Sequence, residues 1–233
     1  MLFRSKKIEK YAARCRAWNA SQTLPWMKGI GLLPMENFFT YRGQLGTMEG
    51  NFITLVDDFI KVYPSLLSAQ AFKLGKYFKA EEFPAVESLA SKFRFEYNFL
   101  PVPEKGDFRV NCEAMVRADL EQQYEKMYND KLQTAMREPW ERLHEVLCKM
   151  RDKLTDTDDG NKQIFRDTLV TNAVELCDLL TRLNVTKDPE LEKARRMLEQ
   201  AVTTVDIKDL RALSSARHEL RSQVDEILNK FNF

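Results

Sequence analysis

Residues 113–154, EAMVRADLEQQYEKMYNDKLQTAMREPWERLHEVLCKMRDKL, carry apolar side chains at Val116, Leu120, Tyr124, Tyr128, Leu132, Met136, Trp140, Leu143, Leu147, Met150 and Leu154. Each step is three or four residues, the repeat of one α-helical face. At 1.5 Å per residue the run predicts a rod of roughly 60 Å, far beyond the mean helix of about twelve residues. Pro139 interrupts it, so the element is either kinked there or divided into two consecutive helices. Glu138 is a poor N-cap, which favours the continuous, kinked form.

Working outward toward the C-terminus, Asp156-Thr-Asp-Asp-Gly160 supplies a polar turn, and Ile164, Leu169, Leu176, Leu180 and Leu183 mark a following helix. Asp188-Pro189-Glu190 is a helix start: a capping Asp, Pro in the first turn, and an acid beside the positive end of the dipole. A last helix is expected from Asp206 through Phe231. Short connections between these helices favour antiparallel packing against the long one.

Toward the N-terminus the pattern is more broken. Residues 3–19 read as a basic amphipathic helix with Ile8, Tyr11, Cys15 and Trp18 on its apolar side, ending near Ser21 ahead of Pro25. Leu24–Pro34 reads as a packed loop. Phe52, Leu55, Val56, Phe59, Val62 and Tyr63 make a helical face expected to end at Pro64, with a second helix over Leu66–Phe78 and a third over Val86–Phe93. Phe93, Phe95, Tyr97 and Phe99 alternate with polar residues, as in a strand with one buried face. With the turn Glu104-Lys105-Gly106-Asp107 and the alternating Phe108 and Val110, they predict a small β-hairpin near 93–112.

The fold class expected is therefore mainly α: an elongated antiparallel helical bundle around one long helix, kinked or split at Pro139, with a small β-hairpin insertion. Residues 1–112 form its N-terminal helical region and 113–233 its C-terminal bundle. No linker rich in Gly, Ser or Pro separates them.

Composition narrows the chemistry. The 233 residues are 44% hydrophobic and 30% charged with a net charge of +1, so neither global disorder nor a DNA-mimicking acidic surface fits. Charge is uneven: residues 1–30 hold seven Lys/Arg against one Glu, and 104–160 hold ten basic against fourteen acidic residues. The four cysteines, Cys15, Cys112, Cys148 and Cys177, contain no C-x-x-C pair. The first residues are charged with no apolar stretch behind them, and no apolar run reaches the roughly 18 residues of a membrane span. A cytoplasmic protein without membrane contact is expected.

The sequence carries no complete catalytic signature. Gly29-Ile-Gly31-Leu-Leu-Pro34 starts like a dinucleotide fingerprint, but no strand is expected before it and Pro34 stands at the third glycine. The acidic turn at 156–160 fails the calcium-loop register, with Thr155 and Thr157 at ligand positions and Arg166 at the twelfth. His144 and His218 lack acidic partners at metal spacing. Cys148, four residues beyond His144, can face it, although a core Cys beside a rim His is the more economical reading. The expectation is a protein with no catalytic residues, metal or cofactor.

Two features suit binding. Arg4, Lys6, Lys7, Lys10 and Arg14 give the first helix phosphate-contacting capacity. The hairpin interleaves aromatics with Arg94 and Arg109, a composition that base-stacking platforms use. These seven residues are the candidate contacts for nucleic acid or a partner. The long apolar stripe offers a protein-binding alternative, buried within its own bundle or against another chain, including a second copy.

The runs Met136-Arg-Glu-Pro-Trp-Glu-Arg-Leu143, Phe165-Arg-Asp-Thr-Leu-Val-Thr-Asn172 and Leu183-Asn-Val-Thr-Lys-Asp-Pro-Glu-Leu191 resemble a family of phage and prophage helical proteins known only as a domain of unknown function. The resemblance spans roughly residues 35–200. It implies a bacteriophage origin and work beside AAA-type ATPases, and supplies no catalytic residues. Together these readings predict a non-enzymatic helical interaction protein in the host cytoplasm, binding a viral protein or a host defence or replication protein. A nucleic-acid-binding accessory is the alternative.

Overall fold

Long helical apolar stripes organise both halves of this chain. The computed structural model describes residues 2–102, 114–155, 167–231 and 233, with side chains from Lys6 onward. Two compact units emerge, Met1–Ser21 with Asn37–Asp107, and Gln22–Glu36 with Phe108–Phe233. Among the described residues the fold is mainly α, with one small two-stranded sheet.

In the first unit, α1 (Leu2–Gln22) packs on α2 (Phe38–Leu74). Tyr41, Leu45, Met48, Phe52, Val56, Phe59 and Tyr63 of α2 are all buried at helical spacing. Ile8 and Cys15 of α1 are buried too, and the Tyr11 hydroxyl donates to the Met48 carbonyl at 3.3 Å. The short helix α3 (Val86–Leu89) adds Leu89 to this core.

The stop expected at Pro64 is not where α2 ends; the helix runs ten residues further. Proline removes one i→i−4 hydrogen bond, but the cost is spread over a helix already held by its buried face on the preceding turns. C-terminal to Pro64 that face thins out, and Phe72 is 93% exposed. Gly75 then stops the helix at φ +50°, a conformation that favours glycine.

The hairpin expected near 93–112 is corrected in its described part. Residues 93–102 lie in no strand, while its turn and second arm (Glu104–Asp107, Phe108, Arg109 and Val110) lie outside the described residues. The alternation has another cause: one face of the segment lies along a helix. Phe93 meets Phe59 at 5.8 Å between ring centroids, Phe95 meets Phe52 at 5.6 Å, and Phe99 meets Phe38 at 5.1 Å. Partner numbers fall as segment numbers rise, so the segment runs antiparallel to α2.

The sheet lies instead in the second unit, where a loop was expected. Strands β1 (Leu24–Met27) and β2 (Ile30–Leu32) pair antiparallel, Leu24 opposite Leu32 and Met27 opposite Ile30. Gly29, at φ +76°, makes the turn.

The rest of that unit is a bundle. Helix α4 (Ala114–Leu154) is one continuous element through the buried Pro139, which removes the split alternative. It packs on α5 (Thr168–Leu183) and α8 (Ser214–Lys230), and α6 (Pro189–Thr203) packs on α5 and α8. The Cys177 thiol reaches the Arg195 carbonyl at 3.7 Å. Those residues stand at equal distances from the α5–α6 turn, so the two helices are antiparallel. Asp188 caps α6 as expected, its Oδ1 accepting from the Glu190 and Leu191 amides at 2.9 and 3.4 Å.

The single last helix expected from Asp206 is two: α7 (Ile207–Ala212) and α8, with Leu213 extended between them. Arg217 accounts for the break. Its buried guanidinium donates to the Leu210 carbonyl at 2.5 Å and the Arg211 carbonyl at 3.3 Å, satisfying groups at the end of α7. The acidic turn 156–160 and Ile164 lie outside the described residues.

Candidate functional site

The hairpin is fastened to α4 from several directions. Leu24 is fully buried in the bundle core, and the Trp26 ring stands edge-on to Tyr128 at 5.4 Å. Arg142 donates to the Thr23 carbonyl at 3.3 Å, and the Lys131 ammonium reaches the Trp26 carbonyl at 3.5 Å. At Gly31 an added Cβ would come within 2.5 Å of Thr23 Oγ1, so only glycine lets the returning strand pass this close.

Beyond these anchors the hairpin and α4 part to leave an open groove of about 660 Å³. Trp26, Met27 and Lys28 line one side, and Lys126, Met127 and Asp130 the other. Met27 and Met127 are each nearly half exposed. Further along α4, Leu132, Met136, Arg137 and Trp140 line a second depression of about 450 Å³ with Thr186.

The two halves of α4 behave differently. From Ala135 onward the stripe is core: Leu143, Leu147 and Met150 have no exposed surface. From Ala114 to Thr134 no residue is buried, and Met115 and Val116 are 85% and 48% exposed. The other helices cover chiefly the C-terminal half of α4, while the hairpin lies against part of its N-terminal half. Hydrophobic periodicity reports which face of a helix is apolar, not what covers it.

Of the seven candidate contacts, Lys6, Lys7, Lys10 and Arg14 are exposed on α1. At 100° per residue they share about 100° of arc on that helix. Arg4 lies within α1, with no described side chain. Arg94 is exposed and pairs with Glu96 at 3.7 Å, an ion pair too solvated to hold structure. Arg109 lies outside the described residues.

Sequence reasoning missed the aromatic junction beside α1. Trp18 of α1 stacks on Tyr41 at 5.0 Å, and Tyr41 meets Phe99 at 6.2 Å. Phe38 touches both Phe39 and Phe99. Phe39 is 81% exposed, and Tyr97 and Phe99 about 40%. The basic helix and the aromatic segment therefore belong to one unit and meet through Tyr41. The Phe38-Phe39 doublet was the available signal.

His144 Nε2 lies 3.4 Å from Cys148 Sγ, the proximity their spacing foresees, while the imidazole packs on the Phe233 ring at 4.9 Å. The shifted titrations belong to packing. Burial pushes the Cys177 thiol up to about 12, which keeps it protonated and unreactive. Hydrogen bonds from Arg195, and secondarily from Arg196, lower the Glu192 carboxyl to about 2. Among the described residues no three metal-ligating side chains gather, and no helix is long and apolar enough to cross a membrane.

Neither a scan against protein-family models nor searches of curated proteins and solved structures returns a match to this chain.

Proposed function

We propose that this chain is a non-enzymatic, phage-encoded helical module that binds another protein, viral or host, in the host cytoplasm. The observation that carries the reading is the thinly covered first half of α4, Ala114–Thr134, in which no residue is fully buried and Met115, Val116 and Met127 are exposed. Apolar side chains held outward on a helix that is anchored elsewhere by a full core are a common basis for protein recognition. The phage assignment rests on the three sequence runs of the resemblance.

A photo-crosslinking amino acid at Met127, compared with one at exposed Glu219 on α8, tests the proposal in lysate of phage-infected cells. A discrete protein adduct specific to position 127 is expected. Equal adducts at both positions, or none at 127, would reject it.

The meeting of basic helix and exposed aromatics at Tyr41 favours a second reading, binding of single-stranded nucleic acid by the first unit. Fluorescence anisotropy with single- and double-stranded DNA at two salt concentrations separates the two. Salt-sensitive binding lost in Lys6→Glu, Lys7→Glu, Lys10→Glu supports this reading, and no binding at low salt removes it.

A further inference from the structure

We infer that the groove between the hairpin and α4 takes an acidic amphipathic helix of a partner protein. This deepens the interaction reading and rests on it. Three lysines line the groove, Lys28, Lys126 and Lys131, against Asp130, the only carboxylate among the described residues that line it. Lys131 is already engaged with the Trp26 carbonyl, which leaves Lys28 at the hairpin turn and Lys126 on α4 as cations on opposite walls.

Between them the surface is soft and apolar. Met27 and Met127 face solvent from the two walls, and Trp26, fixed edge-on to Tyr128, stiffens the hairpin side. Methionine side chains are unbranched and polarisable, so they mould to an incoming apolar residue. Lysine stems extend such a surface while their ammonium groups stay in water at its rim. A basic partner would meet an excess of lysines over carboxylates there, whereas an acidic one gains attraction and faster encounter.

Continuity with the thinly covered turns of α4 selects a helix as the occupant. Met127 is followed on the same helix face toward the N-terminus by exposed Val116, eleven residues away. An amphipathic helix laid along α4 would cover that stripe and place its flanking carboxylates toward Lys126 and Lys28.

The test uses the full chain with isotopically labelled methionine methyl groups and three synthetic helical peptides, Leu/Glu, Leu/Gln and Leu/Lys. The Leu/Glu peptide should move the Met27 and Met127 resonances and bind at least tenfold more tightly than the others. Exposed charge pairs suggest about a threefold loss for Lys28→Glu or Lys126→Glu alone and roughly tenfold for the pair. Lys153→Glu, exposed at the far end of α4, should leave affinity unchanged, and circular dichroism checks that each variant folds. Equal binding of all three peptides overturns the acidic preference and leaves the interaction reading standing. If no peptide moves either methyl group, this inference and the interaction reading at this groove both fail.

Discussion

The indole Nε1 of Trp140 donates to Asp188 Oδ2 across 3.2 Å, while Asp188 Oδ1 caps α6. One carboxylate therefore ties the turn after Pro139 in α4 to the start of α6, linking residues 48 positions apart in the sequence. Asp188→Ala should cost about 2 kcal/mol, combining a lost cap with a lost side-chain bond. Trp140→Phe keeps the cap and should cost less through that bond, although truncating the ring adds some lost packing. Urea denaturation of both variants measures the difference, and equal midpoints to the parent chain would contradict the link.

The hairpin offers a sharper steric test. Because a Cβ at Gly31 would fall 2.5 Å from Thr23 Oγ1 and 2.7 Å from Thr23 Cβ, rotating the threonine cannot relieve both contacts. Gly31→Ala should destabilise by roughly 1–3 kcal/mol, and adding Thr23→Gly should recover part of the loss. Thermal melts of the single and double variants check this.

Helix α2 is predicted to gain from the opposite substitution. Gly46 is exposed within it, and a Cβ there meets nothing within 4 Å. Gly46→Ala should stabilise the chain by about 1 kcal/mol, seen as a higher urea midpoint. A loss of stability would mean that this helix face is crowded.

Acid should weaken the bundle through Glu192. Its carboxyl is lowered from 4.5 to about 2 in the folded chain by Arg195 and Arg196. A depressed folded value contributes stability that is present above about 4.5 and lost as pH falls toward 2. The side chain is 30% exposed, so the contribution is about 2 kcal/mol rather than the full shift. Glu192→Gln should be destabilised at pH 6 yet close to the parent at pH 2, as chemical denaturation at the two pH values would reveal.

These expectations draw on features of unequal visibility in the sequence. The α6 cap was legible because Asp188-Pro189-Glu190 encodes its own geometry over three residues. The long run ending at Leu154 was legible because forty positions of one periodicity admit few other structures. Pro64 misled because its penalty is local, whereas the burial of Val56, Phe59 and Tyr63 that carries α2 through it is distributed. The alternation of Phe93–Phe99 truly marks one packed face, but alternation does not say whether a strand or a helix lies beneath. Strands of four and three residues are too short to show a period at all. The groove was invisible for a different reason: it joins residues 25–28 to residues 123–134, and no local pattern spans that separation.

Among the described residues each unit also holds one buried cysteine, Cys15 in the first and Cys177 in the second. Alkylating reagents require a thiolate with access to solvent, and at neutral pH Cys177 supplies neither until the bundle opens. Timed labelling followed by peptide mass spectrometry therefore turns the two sulfurs into separate clocks, one for the breathing of each unit. A partner that clasps α4 should slow the Cys177 clock and leave that of Cys15 running at its own rate.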